Sequence, residues 1–473
     1  MKSNSIPNVD NPWEDAKQLI LTGLKAAGIA GAAAEPYISL IVAPLMFLLF
    51  PTGDAGESWD SLRAKVEQLV DQKIDEMVYN EQKTKIDTLL PQLAYFNDLI
   101  ENNAGTDSII SKYYVVQAHF SDVLIEMKNE QFDVVSLPLY ALGASLYAVF
   151  LRLSVGQAER VWKMDEGAYK TLCNAAKHFY EENDKYMLST MDKWRQRAVD
   201  AAPPLHHRWP WRFNSINAAE TNITTLVDDF RVLIKYSNPF VFPDTSTVPP
   251  EEFKDVFSPA FGSHNAAEDD TTSFYSPLAQ MNSIEVHKNH LSMLTGLMCV
   301  YPTGRGPRVS DSPDKRVDIT PGGGHPHPPY TVTVQLPDAP EGRRYSIKGV
   351  RVAYADLVKG LVLISAGNPI TVVEYSGPDH WIDFEAEGRM LSTIYCACHS
   401  GYPPYDFALS LVIFGFSRDF EEETDGVRRS RYIAGGAANE ISGIPENLLE
   451  ERKMYQQRLA ALVSNARNSQ VRC

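Results

Sequence analysis

The stretch whose reading decides the fold is 133–152, DVVSLPLYALGASLYAVFLR. Eighteen uncharged residues, Val134 to Leu151, lie between Asp133 and Arg152. As an α-helix they extend roughly 27 Å, close to the thickness of a bilayer's hydrocarbon core. A helix apolar on every side must be surrounded, by protein or by lipid. The flanking sequence bears on which. From 57 to 237 apolar residues recur at intervals of three and four. One helix reads Trp59, Leu62, Val66 and Leu69, with Ile74 and Met77 following; the next reads Ile86, Leu89, Leu93, Phe96 and Ile100, where Pro91 is expected to kink it. A third carries Ile109, Tyr113, Val116, Phe120, Val123 and Met127. After the quoted stretch come Tyr169, Leu172, Ala176, Phe179, Met187 and Trp194, then Ile216, Ile223, Leu226, Phe230 and Leu233. One-sided stripes around a single all-apolar helix predict a bundle wrapped about a central axis. Gly143, Ala144, Ser145 and Ala148 let neighbours approach that axis closely. The same helix is long enough to cross a membrane if the bundle opens.

Composition agrees with a globular chain. The 473 residues suit two or three domains, with 44% hydrophobic and 22% charged residues. A formal net charge of −16 argues against nucleic acid as a partner. The five cysteines, Cys173, Cys299, Cys396, Cys398 and Cys473, contain no CxxC pair and predict no disulfide framework. Cys396 and Cys398, two apart in a strand-like run, are expected on one face; with His399, His287 and His290 they match no known metal-ligand spacing. PGGGHPHPP at 321–329 lacks the Gly-Lys-Ser/Thr continuation of a phosphate loop, and His325 and His327 read as exposed. No GxSxG, HExxH, Walker or Rossmann pattern is found, so neither enzymatic activity nor a cofactor or metal is expected. The sequon NIT at 222–224 falls within a predicted helix and is discounted. Residues 1–25 show no signal-peptide pattern, which predicts a protein made in soluble form. A second apolar region, 26–51, is interrupted by Pro36 and Pro44 and reads as two broken or buried helices.

Beyond a proline-rich connection near 238–280 the pattern turns to strands. Three segments resemble one another: 284–301, 347–364 and 394–414. Each opens with an alternating strand at Ile284, Ile347 or Ile394 and closes with an apolar one at Leu297, Leu361 or Leu411. Three repeated hairpins imply a closed three-sheet β-prism. Further strands are expected at 330–336, 370–376 and 380–386. The fold class is therefore an N-terminal helical bundle over 1–240, a β-prism over 241–420, and a charged segment with a short helical tail over 421–473. That tail helix is read from Pro445 to about Arg467.

At this level the chain resembles the three-domain Cry δ-endotoxins. The likeness rests on WDSLRAKVEQLVDQKIDEMVYNEQKTKIDTL (59–89), FDVVSLPLYALGASLYAVFLRLSVGQAERVW (132–162), WRFNSINAAETNITTLVDDFRVLIKYSNPFVFP (211–243) and SPLAQMNSIEVHK (276–288), in that order. It covers roughly residues 10–417. The family's third domain, a jelly roll, has no counterpart in the 56 residues of 418–473, so the chain reads as a two-domain relative, of the kind known from ferns.

The resemblance implies an insecticidal pore-forming toxin. The prism is expected to bind a receptor on the insect midgut membrane, protein or glycan. A helical hairpin at about 107–153 is expected to enter the target membrane lipid and to assemble as a homo-oligomer, at the target cell's plasma membrane. Leu139, Leu142, Leu146, Val149 and Phe150 belong to the inserting helix. The preceding helix carries Ser108, Ser111, Lys112, His119, Asp122 and Glu126 off its apolar stripe. In a membrane such groups need water, so Lys112, His119, Asp122 and Glu126 are expected to line a cation-permeable lumen. Receptor contacts are expected from loops at 302–329, 365–369 and 400–406, with Arg305, Arg308, Tyr402 and Tyr405 as anchors. Arg428, Arg429 and Arg431 mark a site of proteolytic activation. The alternative is a lectin-like prism on a helical scaffold that forms no pore; GYPPYD at 401–406 resembles prism-lectin loops, although its spacing departs from theirs.

Overall fold

The computed structural model describes residues 17, 20–21, 64, 66–67, 74–102, 104–204, 209–243, 248–249, 252–262, 283–288, 294–301, 304–305, 330–336, 347–355, 357–365, 369–377, 381–386, 388–402 and 405–418. Two compact units result: residues up to Arg197 with Asn222–Pro249, and Ala198–Thr221 with the chain from Pro250 onward. The apolar region 26–51, the stripe residues Trp59, Leu62 and Leu69, the 421–473 tail and its three arginines lie outside the described residues.

The first unit is helical. Helix α1 spans Glu76–Glu101, α2 Thr106–Glu126, α3 Asp133–Ala158 and α4 Glu166–Ala201. The Asp75 side chain caps α1 by accepting from the Met77 N–H at 2.9 Å. Pro91 does not end α1: it lies on the exposed side, where water can reach the Asp87 carbonyl that its ring frees. The apolar stripes fill the interior. Ile86, Leu89, Leu93 and Phe96 of α1, with Ile109, Tyr113, Val116, Phe120 and Val123 of α2, are all buried. In α3 every residue is buried except Gly143, Val155 and Gly156. The 133–152 stretch is therefore the axis of a bundle, as its composition predicts.

The last helical run reads α5 (Trp209–Ile223), a five-residue π segment (Thr224–Asp228) and α6 (Asp229–Ser237). Its residues to Thr221 belong to the second unit, and those from Asn222 to the first. In the first unit, Asp229 forms a buried ion pair with Lys17 at 2.8 Å, and Arg231 binds Asp228 and Asp184 at 2.9 and 3.0 Å. In the second, Asn217 Nδ2 donates to the carbonyls of Phe257 and Ser258 at 2.8 and 3.2 Å.

The second unit holds three antiparallel four-stranded sheets. Its strands are β1 (Val256–Phe257), β2 (Phe261–Gly262), β3 (Ser283–Lys288), β4 (Leu294–Tyr301), β5 (Gly304–Arg305) and β6 (Tyr330–Gln335). They continue with β7 (Ile347–Tyr354), β8 (Val358–Ser365), β9 (Ile370–Val373), β10 (Trp381–Glu385), β11 (Arg389–Tyr402) and β12 (Tyr405–Arg418). The sheet orders are β5–β4–β3–β6, β10–β7–β8–β9, and β1–β12–β11 with β2 also on β12. Each repeat of the sequence is one central hairpin: β3/β4, β7/β8 and β11/β12. Ile284, Val286 and Leu297 from the first, Val350, Val352 and Leu361 from the second, and Ile394, Val412 and Phe414 from the third meet in one core. Three sheets sharing one core make the prism that the repeat implies. The strands expected at 330–336, 370–376 and 380–386 are β6, β9 and β10.

Cys396 is buried, with its thiol 3.7 Å from the Leu297 carbonyl; the register shift beside it puts the extra residue, Ser410, on β12. One local expectation needs correction. The segment 400–406, read as a loop, is the tip of a hairpin in which β11 runs to Tyr402, β12 resumes at Tyr405, and these two residues pair.

Candidate functional site

The hairpin α2–α3 is the part of the first unit suited to leaving it. Leu139, Leu142, Leu146, Val149 and Phe150 are all buried in α3. Phe150 stacks on Tyr113 of α2 at 5.5 Å and meets Phe96 of α1 edge-on at 5.8 Å; Tyr147 stacks on Phe120 at 5.0 Å and meets Phe179 of α4 edge-on at 4.7 Å. These rings surround the helix with contacts that carry no charge.

Charge appears only at the two ends of α3. Asp133, at the first turn, is buried and paired with Lys193 of α4; Arg197, one turn further along α4, stands 3.7 Å away. Just before it, in the turn joining α2 to α3, Lys128 lies over the rings of Tyr140 and Tyr186 at 5.3 and 4.8 Å. Burial lowers the Lys128 ammonium below its ordinary value, against the opposing attraction of Glu182. At the other end, Arg152 is buried and donates to the carbonyls of Phe242 and Pro243 at 3.0 and 3.1 Å, and of Ser237 and Tyr236 at 3.3 and 3.4 Å. Tyr180 of α4 adds hydroxyl donations to the carbonyls of Ala148 and Ser237 at 3.0 and 3.1 Å. The sequence reading singled out none of Lys128, Lys193, Arg197 or Tyr180. The only signal was that Lys193 and Arg197 are four apart and therefore share a helix face.

On α2 the six polar side chains share one arc of the helix and differ along it in burial. Ser108, Ser111 and Asp122 are exposed, and Asp122 stands 4.0 Å from Lys85 of α1. Lys112, His119 and Glu126 follow at intervals of seven along a half-buried flank. Lys112 donates to Gln92 and lies 4.6 Å over the Tyr95 ring, both on α1. The outward face also carries Tyr114, Val115 and Ile125, the last 65% exposed, all three outside the apolar stripe.

On the prism, Tyr402 and Tyr405 are brought together by the β11/β12 register, and Arg305 ends the short strand β5, paired with Val300. Arg308 lies outside the described residues, as do Arg428, Arg429 and Arg431.

A bundle enclosing a membrane-length helix, followed by a three-sheet prism, defines a protein built like the crystal toxins. Residues 30–234 match the delta endotoxin N-terminal domain. The chain is 29% identical over 190 residues to the parasporal crystal protein Cry18Aa of Paenibacillus popilliae, a match covering 38% of this chain and 27% of that protein. It is 28% identical over 161 residues to the pesticidal crystal protein Cry1Ia of Bacillus thuringiensis subsp. kurstaki, covering 32% of this chain and 22% of that one. The matched stretch thus spans about a quarter of these relatives' length. Among solved structures, the insecticidal crystal protein Cry7Ca1 of Bacillus thuringiensis aligns over 86% of this chain and 75% of its own, with a TM-score of 0.60 and 13% identity. PirB aligns over 87% of this chain and 95% of its own, with a TM-score of 0.62 and 14% identity. The chain carries a delta endotoxin N-terminal domain and shares the fold of the crystal toxins.

Proposed function

We propose that this protein is an insecticidal pore-forming toxin, with the prism attaching to a receptor on the gut epithelium and the α2–α3 hairpin entering the membrane as part of a homo-oligomer. One observation carries the reading: α3 is long enough to span a bilayer, and in the bundle it is buried on all sides with its only charges at its ends. Bundle and bilayer both hide an apolar helix with satisfied backbone, so the two states can lie close in free energy. The reading is tested by adding the purified protein, without detergent, to dye-loaded liposomes. Dye release is the expected outcome; a lectin-like prism on an inert scaffold would release none.

The lumen in this reading is lined by α2, through Lys112, His119, Asp122 and Glu126. Two carboxylates stand against one ammonium on that surface, so the pore is expected to prefer cations. In a planar bilayer under a KCl gradient, Asp122→Asn combined with Glu126→Gln should shift the reversal potential toward zero while conductance persists. An anion-selective unmodified pore would assign the lining to another helix.

Receptor contact is assigned to the prism loops, with Tyr402 and Tyr405 as aromatic anchors and Arg305 and Arg308 as charged ones. Replacing both tyrosines by alanine should reduce binding to gut-membrane vesicles several-fold and leave liposome dye release unchanged. Loss of both activities together would indicate misfolding instead.

A further inference from the structure

The outer face of the sheet β10–β7–β8–β9 carries an arrangement that the pore does not use. Val350 and Val352 of β7 point into the prism core, so Arg351 and Ala353 face outward. Register places Trp381 of β10 opposite Ala353, and Ala353 opposite Gly360 of β8, in one row across three strands. A Cβ on Gly360 would lie 2.6 Å from Trp381 Cη2, 3.1 Å from Cζ2 and 2.8 Å from Tyr375 Cβ. The indole therefore reaches about 10 Å across two strand spacings and lies along the sheet, in a trough made by the small residues Ala353 and Gly360. Ala353 is fully buried although it faces outward, as a covering ring requires. Trp381 itself is half-buried, so part of the indole stays open to solvent.

The neighbouring row holds Asp383 opposite Arg351. Their side chains form a two-pronged pair, Nε to Oδ1 and Nη2 to Oδ2, each at 2.7 Å, with the side chains 50% and 45% exposed. The hydrogen bond from Arg351 holds the Asp383 carboxyl below its ordinary value. A pair this exposed adds little to stability. It does fix a planar rim beside the indole, with the Arg351 Nη1 donors and the remaining carboxylate lone pairs open to an outside partner.

A bulge completes the site. Ala353 pairs with Gly360 and Tyr354 with Val358, so Lys359 is the extra residue. Its ammonium lies 5.5 Å over the Tyr375 ring, on the Gly360 side of the indole. Bulges commonly re-aim a side chain in this way next to a functional site.

We propose that this face binds a neutral pyranose ring, with its C–H-rich side stacked on Trp381 and its adjacent hydroxyls held by the Arg351–Asp383 pair. An apolar ring face with a planar polar edge matches a sugar, which has a C–H face and a hydroxyl rim. Arg351 and Asp383 cancel in charge, which disfavours a polyanion. The charged groups around the indole disfavour an acyl chain. The proposal deepens the recognition half of the function proposed above. It stands or falls separately from pore formation, because its test contains no membrane.

The intact protein is titrated with methyl β-glucopyranoside, methyl β-galactopyranoside and their 2-acetamido counterparts, followed by saturation-transfer NMR. At least one is expected to bind saturably. Trp381→Leu should weaken that sugar by about tenfold or more, Trp381→Phe should retain most of the affinity, and Asp383→Asn should weaken it by about tenfold. Saturable binding by none of the four overturns the proposal. So does undiminished binding by a Trp381→Leu variant that unfolds at the unmodified temperature. If Trp381→Leu does not fold, Asp383→Asn decides, since it leaves the core untouched, and unchanged affinity in that variant overturns the site.

Discussion

Leu146→Asp is expected to bring dye release down to the background rate and to lower the unfolding free energy by about 3–5 kcal/mol. Leu146 sits near the middle of α3 and is 4% exposed. A carboxylate there has no partner in the bundle, because the ionic groups of α3 are confined to its ends, at Asp133 and Arg152. In the bilayer the same carboxylate stands near the midplane, where a charge costs about 2.5–3.5 kcal/mol on insertion scales. Both states are penalised, so the two measurements belong together: urea unfolding to establish a cooperative fold, then leakage at matched folded concentration. A variant that unfolds cooperatively and still leaks at the full rate would remove α3 from the membrane.

Arg152→Met is expected to act in the opposite sense on leakage. The guanidinium donates to four carbonyls at the exit of α6. The Ser237 carbonyl keeps the Tyr180 hydroxyl. Methionine fills most of the space and removes the donors, at a cost of about 2–4 kcal/mol to the closed bundle. In the membrane Arg152 stands at a helix end, where a long cationic side chain reaches the interface without penalty, so the open state loses little. The urea midpoint should fall while the lag before dye release shortens. Arg152→Lys should give a smaller change of the same sign, since one ammonium cannot span all four carbonyls. A lower midpoint with an unchanged lag would mean that this end of the helix does not limit opening.

How far the sequence carries can be followed residue by residue. Val134 to Leu151 declares its burial because no amphipathic alternative exists for it. The prism is legible because three hairpins repeat the same pattern, and repetition needs no knowledge of what each strand touches. The tip at Tyr402 and Tyr405 was read as a loop because two prolines suggested a longer break; they sit between paired residues, so the strands run up to them on both sides. The polar residues of α2 read as one face, but periodicity does not say which of them a neighbouring helix covers. That α1 covers one flank, placing Tyr95 under Lys112, is a tertiary fact. The Asp133–Lys193 pair spans 60 residues, and local spacing cannot announce it. The same limit hid the allocation of 209–221: the apolar stripe says that α5 is buried, not which unit buries it.

The hydroxyls inside α3 bear on what opening the bundle must undo. Ser145 donates to the Leu142 carbonyl at 2.7 Å and Ser154 to the Phe150 carbonyl at 2.8 Å, each within its own helix. These bonds are luggage rather than moorings: they travel with the helix and are as complete in lipid as in protein. Of the serines along the axis, Ser136 is bonded to another helix, accepting from Gln82 of α1 at 3.3 Å. On departure Tyr147 keeps its bonds to Gln117 and Ser121 of α2, so the polar rearrangement is concentrated at Asp133, at Arg152 and at the Ala148 carbonyl that loses the Tyr180 hydroxyl. Substitutions along the axis should then alter how deeply each state is populated, and substitutions at its ends how fast one becomes the other.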